Sequence, residues 1–222
     1  MIIVFSTTIT FDQFMLGIYQ TIHMVSISLL IGTILGFPLA VLLVVTRPGG
    51  IIENKWIFGT LNPLINIVRS VPFIILLVAI IPLTKLIVGT SIGTMAAVVP
   101  LTVYIGPYIG RLVENSLLEV SPGILEAAES MGATPYQVIR YFIFPEAMGS
   151  IILSLTTSTI GLIGATAMAG AVGAGGVGDL AIVYGYQRFD TFVVISTVIV
   201  LVIMVQLIQS LGNVLARKAR RY

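Results

Sequence analysis

The sequence predicts an all-α membrane protein with five transmembrane helices, and three observations support this fold class. Of the 222 residues, 57% are hydrophobic and 9% are charged, whereas an ordinary soluble domain carries about 25% charged residues. Several apolar runs are long enough to cross a bilayer, which takes about 20 residues. The longest stretch that is too polar to lie in the hydrocarbon core, Ser121 to Ala147, contains helix-capping patterns instead of a loop composition.

The composition also excludes several functions. The formal net charge of +2 is too small to suggest a nucleic-acid partner, and the basic residues are dispersed apart from the last six positions. The absence of cysteine excludes disulfides and thiol catalysis, and it leaves the redox compartment open. A single histidine, His23, argues against a histidine-based metal site. The N-terminus lacks the basic region and cleavage site of a signal peptide, so we expect it to be mature sequence.

The first predicted span covers about residues 14–46, after a short mixed segment at 1–13. It contains Gly32 and Gly36, a spacing of small residues that lets helices approach closely. Packing within this subunit is the preferred interpretation of that spacing. His23 lies in the same span, where packing is preferred to a proton-relay role.

The second predicted span covers about residues 61–83 and is interrupted by Pro72. Its first half is polar, so we expect Arg69 to lie near an interface or inside the bundle, because exposing a charge to lipid is costly. The third span covers about residues 92–113. It contains two prolines that we expect to kink it, Pro100 and Pro107.

The fourth and fifth predicted spans cover about residues 147–168 and 191–216. Between them, residues 165–178 are almost all small, which predicts flexible or close-packed backbone. The chain ends in a basic tail, 217–222. The whole of 14–216 is therefore expected to form one transmembrane domain.

Between the third and fourth spans, residues 121–145 are predicted to form two short helices that meet at a glycine. Ser121 and Pro122 form a helix start, and Gly132 is a typical helix stop. A second helix begins at Thr134, where Gln137 completes a capping box. An apolar face of three residues at helical spacing is expected on the first helix: Ile124, Ala128 and Met131. Such a bent, water-exposed pair is typical of a protein-docking surface.

The distribution of basic residues predicts the orientation. Five spans place the termini on opposite sides, and cytoplasmic loops carry an excess of Lys and Arg. A cytoplasmic C-terminus places most basic residues at the inner side, namely Arg47, Lys55, Arg111, Arg140 and those of the tail. Only Lys85 and Arg188 then lie outside, with Arg69 undecided. We therefore predict an outer N-terminus and extracytoplasmic segment 1–13, with 121–145 facing the cytoplasm.

Two sequence motifs, one typical of dinucleotide-binding proteins and one typical of hydrolases, occur without the secondary structure that each requires. Residues 173–178 match G-x-G-x-x-G, but the strand and helix that a dinucleotide site requires are missing. Residues 89–93 match G-x-S-x-G, yet the histidine precedes the serine and no strand leads in, so a tight turn is the better interpretation. No phosphate-binding loop is present. We expect no cofactor in this chain, no ATP binding by the chain alone and no catalysis.

The segment Glu126-Ala127-Ala128, followed by Gly132 and by Ile143-Phe144-Pro145, resembles the EAA loop of ATP-binding-cassette importer permeases. In that family the loop docks into a groove on a separate ATPase subunit. The acidic residues all map to loops or to the ends of the predicted spans, which fits an energy source outside the chain.

Further segments resemble the methionine-importer permeases within that family. They are 46–49, 69–77, 87–93, 131–135, 167–170 and 184–186. The first 40 residues carry little of this resemblance. The sequence departs from many relatives at 147–149, where a second proline is absent.

The resemblance implies a multi-pass protein of the bacterial cytoplasmic membrane that works by alternating access. Its partners would be a second copy of the permease, two ATPase subunits that bind ATP and Mg²⁺, and an extracellular substrate-binding lipoprotein. Glu126, Ala127, Ala128 and Gly132 would seat the coupling loop on the ATPase. Pro145 would end the second helix and lead the chain into the fourth span.

Met168 stands among small residues at the outer end of the fourth span. It is a candidate gate in the transport pathway, and filling of a packing gap is an equal alternative. Two other functions stay open. One is an importer permease for another small solute, such as a different amino acid or an osmolyte. The other is an ion-coupled carrier or channel.

Overall fold

A computed structural model describes residues 9–220, and all regular structure in this range is helical. Residues 1–8 of the predicted N-terminal segment and the last two residues of the predicted tail lie outside the described residues. The helices are α1 (Phe11–Thr46), α2 (Lys55–Ser70), α3 (Phe73–Ala79), α4 (Ile81–Val88), α5 (Thr94–Leu118), α6 (Pro122–Ser130), α7 (Pro135–Gln137), α8 (Phe144–Gly170), α9 (Val177–Asp179) and α10 (Thr191–Ala219). Two π-helical segments, Val138–Ile143 and Leu180–Tyr186, follow α7 and α9.

Four described helices are long and apolar enough to cross a membrane: Phe11–Thr46, Thr94–Leu118, Pro135–Gly170 and Thr191–Ala219. The bent pair Lys55–Ser70 and Phe73–Ala79 makes a fifth if it is counted as one span. The predicted all-α membrane class is therefore confirmed, with four to five candidate spans. The orientation stays a prediction.

The second predicted span, 61–83, is interrupted at Pro72, as its sequence predicts. The chain bends by 102° between α2 and α3. Pro72 precedes α3, so Val71 is pushed out of the helical conformation and the backbone hydrogen bond at residue 72 is lost. The hydroxyl of Ser70 instead donates to the carbonyl of Asn66 at 2.8 Å, which closes the last turn of α2.

Two helices extend beyond the approximate spans predicted for them. The first helix begins at Phe11 because Thr10 and Gln13 form a reciprocal cap, with N···O distances of 2.9 and 3.3 Å. That T-x-x-Q pattern is a capping box, the same pattern that is predicted at Thr134. At the other end, α10 continues to Ala219, so most of the described part of the predicted tail is helical.

The expectation that Pro145 ends a helix is also wrong. Helical structure continues from Pro135 to Gly170. A proline inside an α-helix removes one hydrogen bond and clashes with the carbonyl four residues earlier. Here the wider π-helical turn Val138–Ile143 comes immediately before Pro145, and such a turn relieves the clash.

The chain forms two compact units. The first contains Met1–Ile31, Val71–Ile105 and Thr159–Ile208, and the second contains Gly32–Ser70, Gly106–Ser158 and Gln209–Tyr222. The described core of the first unit includes the fully buried Met24, Leu101, Leu162 and Val193. That of the second includes Leu43, Ile109 and Val113.

Within the second unit, α1 and α5 cross at four glycines. A Cβ built on Gly36 would lie 2.5 Å from the carbonyl oxygen of Gly106, and one on Gly110 would lie 3.3 Å from the oxygen of Gly36. The preferred interpretation of the Gly32 and Gly36 spacing, packing inside this subunit, is therefore confirmed.

Candidate functional site

The predicted bent pair of helices is present at residues 122–143. α6 ends at Ser130, and Gly132 has φ +71°, a left-handed conformation that glycine adopts without steric cost. The predicted capping box at Thr134 is also formed. Its amide donates to the side-chain oxygen of Gln137 at 2.8 Å, and its hydroxyl accepts from the Gln137 amide at 3.4 Å.

This bent pair of helices, which we call the elbow, is held together by small and branched residues. α6 packs against the π-helical segment Val138–Ile143. Ala128 on α6, together with Val138 and Ile143, is buried. The predicted apolar face therefore holds for Ala128, whereas Met131 is 66% exposed and does not belong to it.

The outer side of the elbow is exposed and partly aromatic. We call it the elbow surface, and its members are Glu126, Ala127, Met131, Tyr136 and Tyr141. Tyr136 and Tyr141 are 70% and 64% exposed. A cluster of exposed methionine and tyrosine is typical of an interaction site. Glu126 and Ala127 are among the residues predicted from the sequence, whereas the two tyrosines are not. Their signal in the sequence is the occurrence of large aromatic rings in a water-facing segment.

A second feature, in the second unit, is a polar cluster around Arg111. The guanidinium donates to Glu114 at 2.7 Å, to the Asn62 side chain at 2.6 Å and to the Asn66 side chain at 3.0 Å. The Glu114 side chain is 5% exposed. Glu114 follows the third predicted span directly, and the sequence does not predict its cluster because the two asparagines lie on a different helix.

Arg69 lies on α2 beside this cluster, with its guanidinium carbon 5.9 Å from the ring centroid of Tyr108. The residue is exposed in the described chain. Its position near a membrane interface or within the bundle stays a prediction.

In the first unit, the glycine-rich segment after α8 is fixed by four hydrogen bonds. Gly93 and Thr94 donate to the carbonyls of Gly173 and Ala174, at 2.9 and 3.1 Å. The amides of Gly176 and Val177 donate to the side chains of Gln20 and Thr21, at 2.8 and 2.9 Å. The segment is therefore held from two sides by helices α1 and α5.

The same segment is close-packed rather than open. A Cβ on Gly170 would collide with the backbone of Asp179, and one on Gly178 with the backbone of Ala167. Of the two predicted alternatives for 165–178, close packing is therefore the one the structure contains. Residues 89–93 form the predicted turn, with positive φ at Gly89 and Gly93.

The remaining candidates lie near this segment. Met168 is 52% exposed, two residues before the end of α8. Burial raises the pKa of the Asp179 carboxyl above its ordinary value of 3.8. His23 is partly buried and stacks on Tyr19, with ring centroids 5.9 Å apart. Within residues 9–220, no cluster of three or more metal-ligating side chains is present.

Comparison with known proteins identifies the relatives of this arrangement. A "probable D-methionine transport system permease protein MetI" from Vibrio cholerae is 49% identical over 207 residues, which cover 93% of this chain and 92% of the relative. The "D-methionine transport system permease protein MetI" of Yersinia pestis is 52% identical over 154 residues, 69% of this chain and 71% of the relative.

A solved structure shares the fold closely. It is described as "inward facing conformations of the MetNI methionine ABC transporter", and it superposes with a TM-score of 0.91 at 46% identity, covering 94% of this chain and 97% of its own. The model of one protein family matches residues 32–221. The chain therefore belongs to the family of binding-protein-dependent transport system inner membrane components.

Proposed function

We propose that this chain is the membrane-spanning permease subunit of an ATP-driven importer that moves methionine across the bacterial cytoplasmic membrane. The observation that carries the proposal is the likeness, over 94% of the chain, to a subunit of a methionine ABC transporter. In this proposal two copies of the chain form the pathway, two separate subunits hydrolyse ATP, and an extracellular lipoprotein delivers the substrate. The chain itself contributes no catalytic group.

The elbow surface is proposed to dock on the ATPase. Glu126 and Ala127 are exposed, and Ala127 is small enough to let a partner approach closely. Ala128 is buried, so its role is to hold α6 against the segment beneath it. Exposed Met131, Tyr136 and Tyr141 supply the apolar area that a stable contact requires.

The continuity of the helix after the elbow supports a mechanical role. Residues 135–170 form one helical path from the elbow into a candidate span. Movement of the elbow would therefore be passed to that span as a rigid-body displacement, which is a common basis of alternating access. Pro145 lies in this path at the exit of the π-helical turn, where it would set the direction of the span instead of ending the helix.

In this proposal, few charged side chains line the pathway that methionine takes through the membrane. Met168 is half exposed in the isolated chain and lies just before the glycine-rich segment that hydrogen bonds hold in place. We propose that its flexible thioether side chain narrows the pathway. Met168→Ala should raise basal ATP hydrolysis in the absence of binding protein, or change uptake; unchanged values of both would mean that Met168 only fills a gap.

Reconstitution tests the function directly. The purified complex of permease and ATPase, placed in liposomes with its binding protein, should take up radiolabelled methionine only when ATP is present on the ATPase side. A complex whose ATPase cannot hydrolyse ATP is the matched control. Uptake by the permease alone under a proton or sodium gradient would contradict the proposal and favour an ion-coupled carrier.

Competition identifies the substrate. A tenfold excess of either methionine stereoisomer should suppress the uptake of labelled methionine, whereas other amino acids and osmolytes should not. Stronger suppression by an unrelated amino acid or by an osmolyte would assign the importer to that solute and leave the permease role intact.

A further inference from the structure

The inner end of helix α10 carries a groove that the proposed transport cycle does not use. Its volume is about 190 Å³, and it is lined by Leu153, Asn213, Ala216, Arg217 and Arg220. Leu153 belongs to α8, and the other four belong to α10 or follow it directly. The groove therefore combines apolar walls with two cationic side chains.

The packing of the two helices fixes this groove in place. At Gly212 they touch, because a Cβ there would collide with Thr156. Further along, the stem of Arg220 lies across Gly149, where a Cβ would lie 2.5 Å from Arg220 Cγ. Asn213 is held by Gln209, whose side-chain amide donates to it at 3.2 Å.

The charges in the groove are not neutralised by the described part of the chain. Among residues 9–220, the ion pair of the structure is Arg111–Glu114, and neither Arg217 nor Arg220 has a carboxylate within 4.0 Å. Arg220 also lines a neighbouring cavity that contains Glu119 and Glu146. Arg217 does not line that acidic cavity, so it offers the freer positive charge.

The position along the helix matches the headgroup layer of a bilayer. α10 has 29 residues, about 44 Å at 1.5 Å per residue, whereas the hydrocarbon core is about 30 Å thick. The last turns therefore emerge from the hydrocarbon. At this level of the helix, Leu153 and Ala216 supply the apolar walls of the groove.

We propose that this groove binds the headgroup of an anionic phospholipid of the cytoplasmic leaflet. Arg217 and Arg220 pair with the phosphate, Asn213 hydrogen bonds to it, and the apolar part of the lipid next to the headgroup contacts Leu153 and Ala216. Basic pockets between transmembrane helices on the cytoplasmic side have this ligand chemistry. The leaflet assignment depends on the orientation in the proposed function, whereas lipid binding itself does not.

The test uses the purified complex in nanodiscs with spin-labelled phosphatidylglycerol or phosphatidylcholine as probes. The motionally restricted fraction in electron paramagnetic resonance spectra measures lipid association. The wild-type complex should select phosphatidylglycerol, and Arg217→Gln should weaken this preference about fivefold. Lys218→Gln, the matched control, removes an equal charge from a residue that does not line the groove, and it should change the preference less than twofold.

A second pair of variants keeps the charge constant. Leu153→Trp should fill the groove and abolish the preference for phosphatidylglycerol, whereas Leu207→Trp, on the exposed face of α10, should not. Equal effects of Arg217→Gln and Lys218→Gln would show diffuse attraction to the membrane and overturn the proposal. Displacement of the lipid by millimolar inorganic phosphate would do the same, because the site would then take a soluble anion. These measurements require no methionine, so they are separate from the test of transport.

Discussion

At Gly36 the backbones of α1 and α5 lie so close that no side chain fits between them. Gly36→Ala should therefore destabilise the protein by about 1–3 kcal/mol, because the two helices must separate to admit one methyl group. The measurement is the unfolding temperature of the purified complex in detergent.

The control is Gly59→Ala on α2. A Cβ at that exposed helical position meets nothing within 4 Å. Alanine favours the helix there by about 1 kcal/mol, so the unfolding temperature should stay equal or rise. A parallel fall in both variants would contradict the close-packing explanation for Gly36.

The contribution of Arg111 to the stability of the protein depends on the buried carboxylate beside it. Arg111→Met would leave the carboxylate of Glu114, 5% exposed, without its partner. We expect a loss of about 3–5 kcal/mol of stability, since a buried charge is left uncompensated. Replacing both residues, as Arg111→Met with Glu114→Leu, should recover part of the loss. Thermal unfolding of the two single variants and the double variant measures this coupling, and strictly additive losses would be evidence against the pair.

At the scale of elements, the elbow depends on the conformation of Gly132. A Cβ there meets nothing within 4 Å, so the only cost of a side chain is the positive φ. Gly132→Ala should strain the turn by about 1–2 kcal/mol, and Gly132→Asn should cost less because asparagine tolerates this conformation. If the elbow transmits ATP hydrolysis, methionine uptake should fall in the order glycine, asparagine, alanine. Equal uptake by all three would remove Gly132 from the coupling mechanism.

The elements also show which local signals are sufficient. The capping box at Thr134 and the glycine stop at Gly132 each depend on four or five neighbouring residues, and both predicted features are present. The π-helical turn before Pro145 has no such local signal, because its sequence pattern is that of an ordinary helix. The sequence therefore predicts a helix stop at Pro145, whereas this proline lies inside a continuous helix.

At the scale of the whole molecule, orientation is the main prediction. The chain has no cysteine, so a single introduced cysteine can be labelled without background. In vesicles that contain this chain without an ATPase subunit, Met131→Cys should react with a membrane-impermeant maleimide only from the cytoplasmic side, and Lys85→Cys only from the opposite side, as the distribution of basic residues requires. Labelling experiments on inside-out and right-side-out vesicles make the measurement. Reaction of Met131→Cys from outside would mean that the predicted topology is inverted and that the elbow cannot contact a cytoplasmic ATPase.

The sequence by itself determined the membrane class, the approximate positions of the long helices and the bent helical elbow. These features follow from hydropathy, caps and glycine conformations, each of which acts between residues close in the chain. The tertiary structure alone decided the exposure of the two elbow tyrosines, the cluster around Arg111 and the size of the bend at Pro72, which is 102°. The asparagines that bind Arg111 are 49 and 45 residues away. Such contacts depend on which helix faces are brought together, and that is set by the packing of the whole chain instead of by any local pattern.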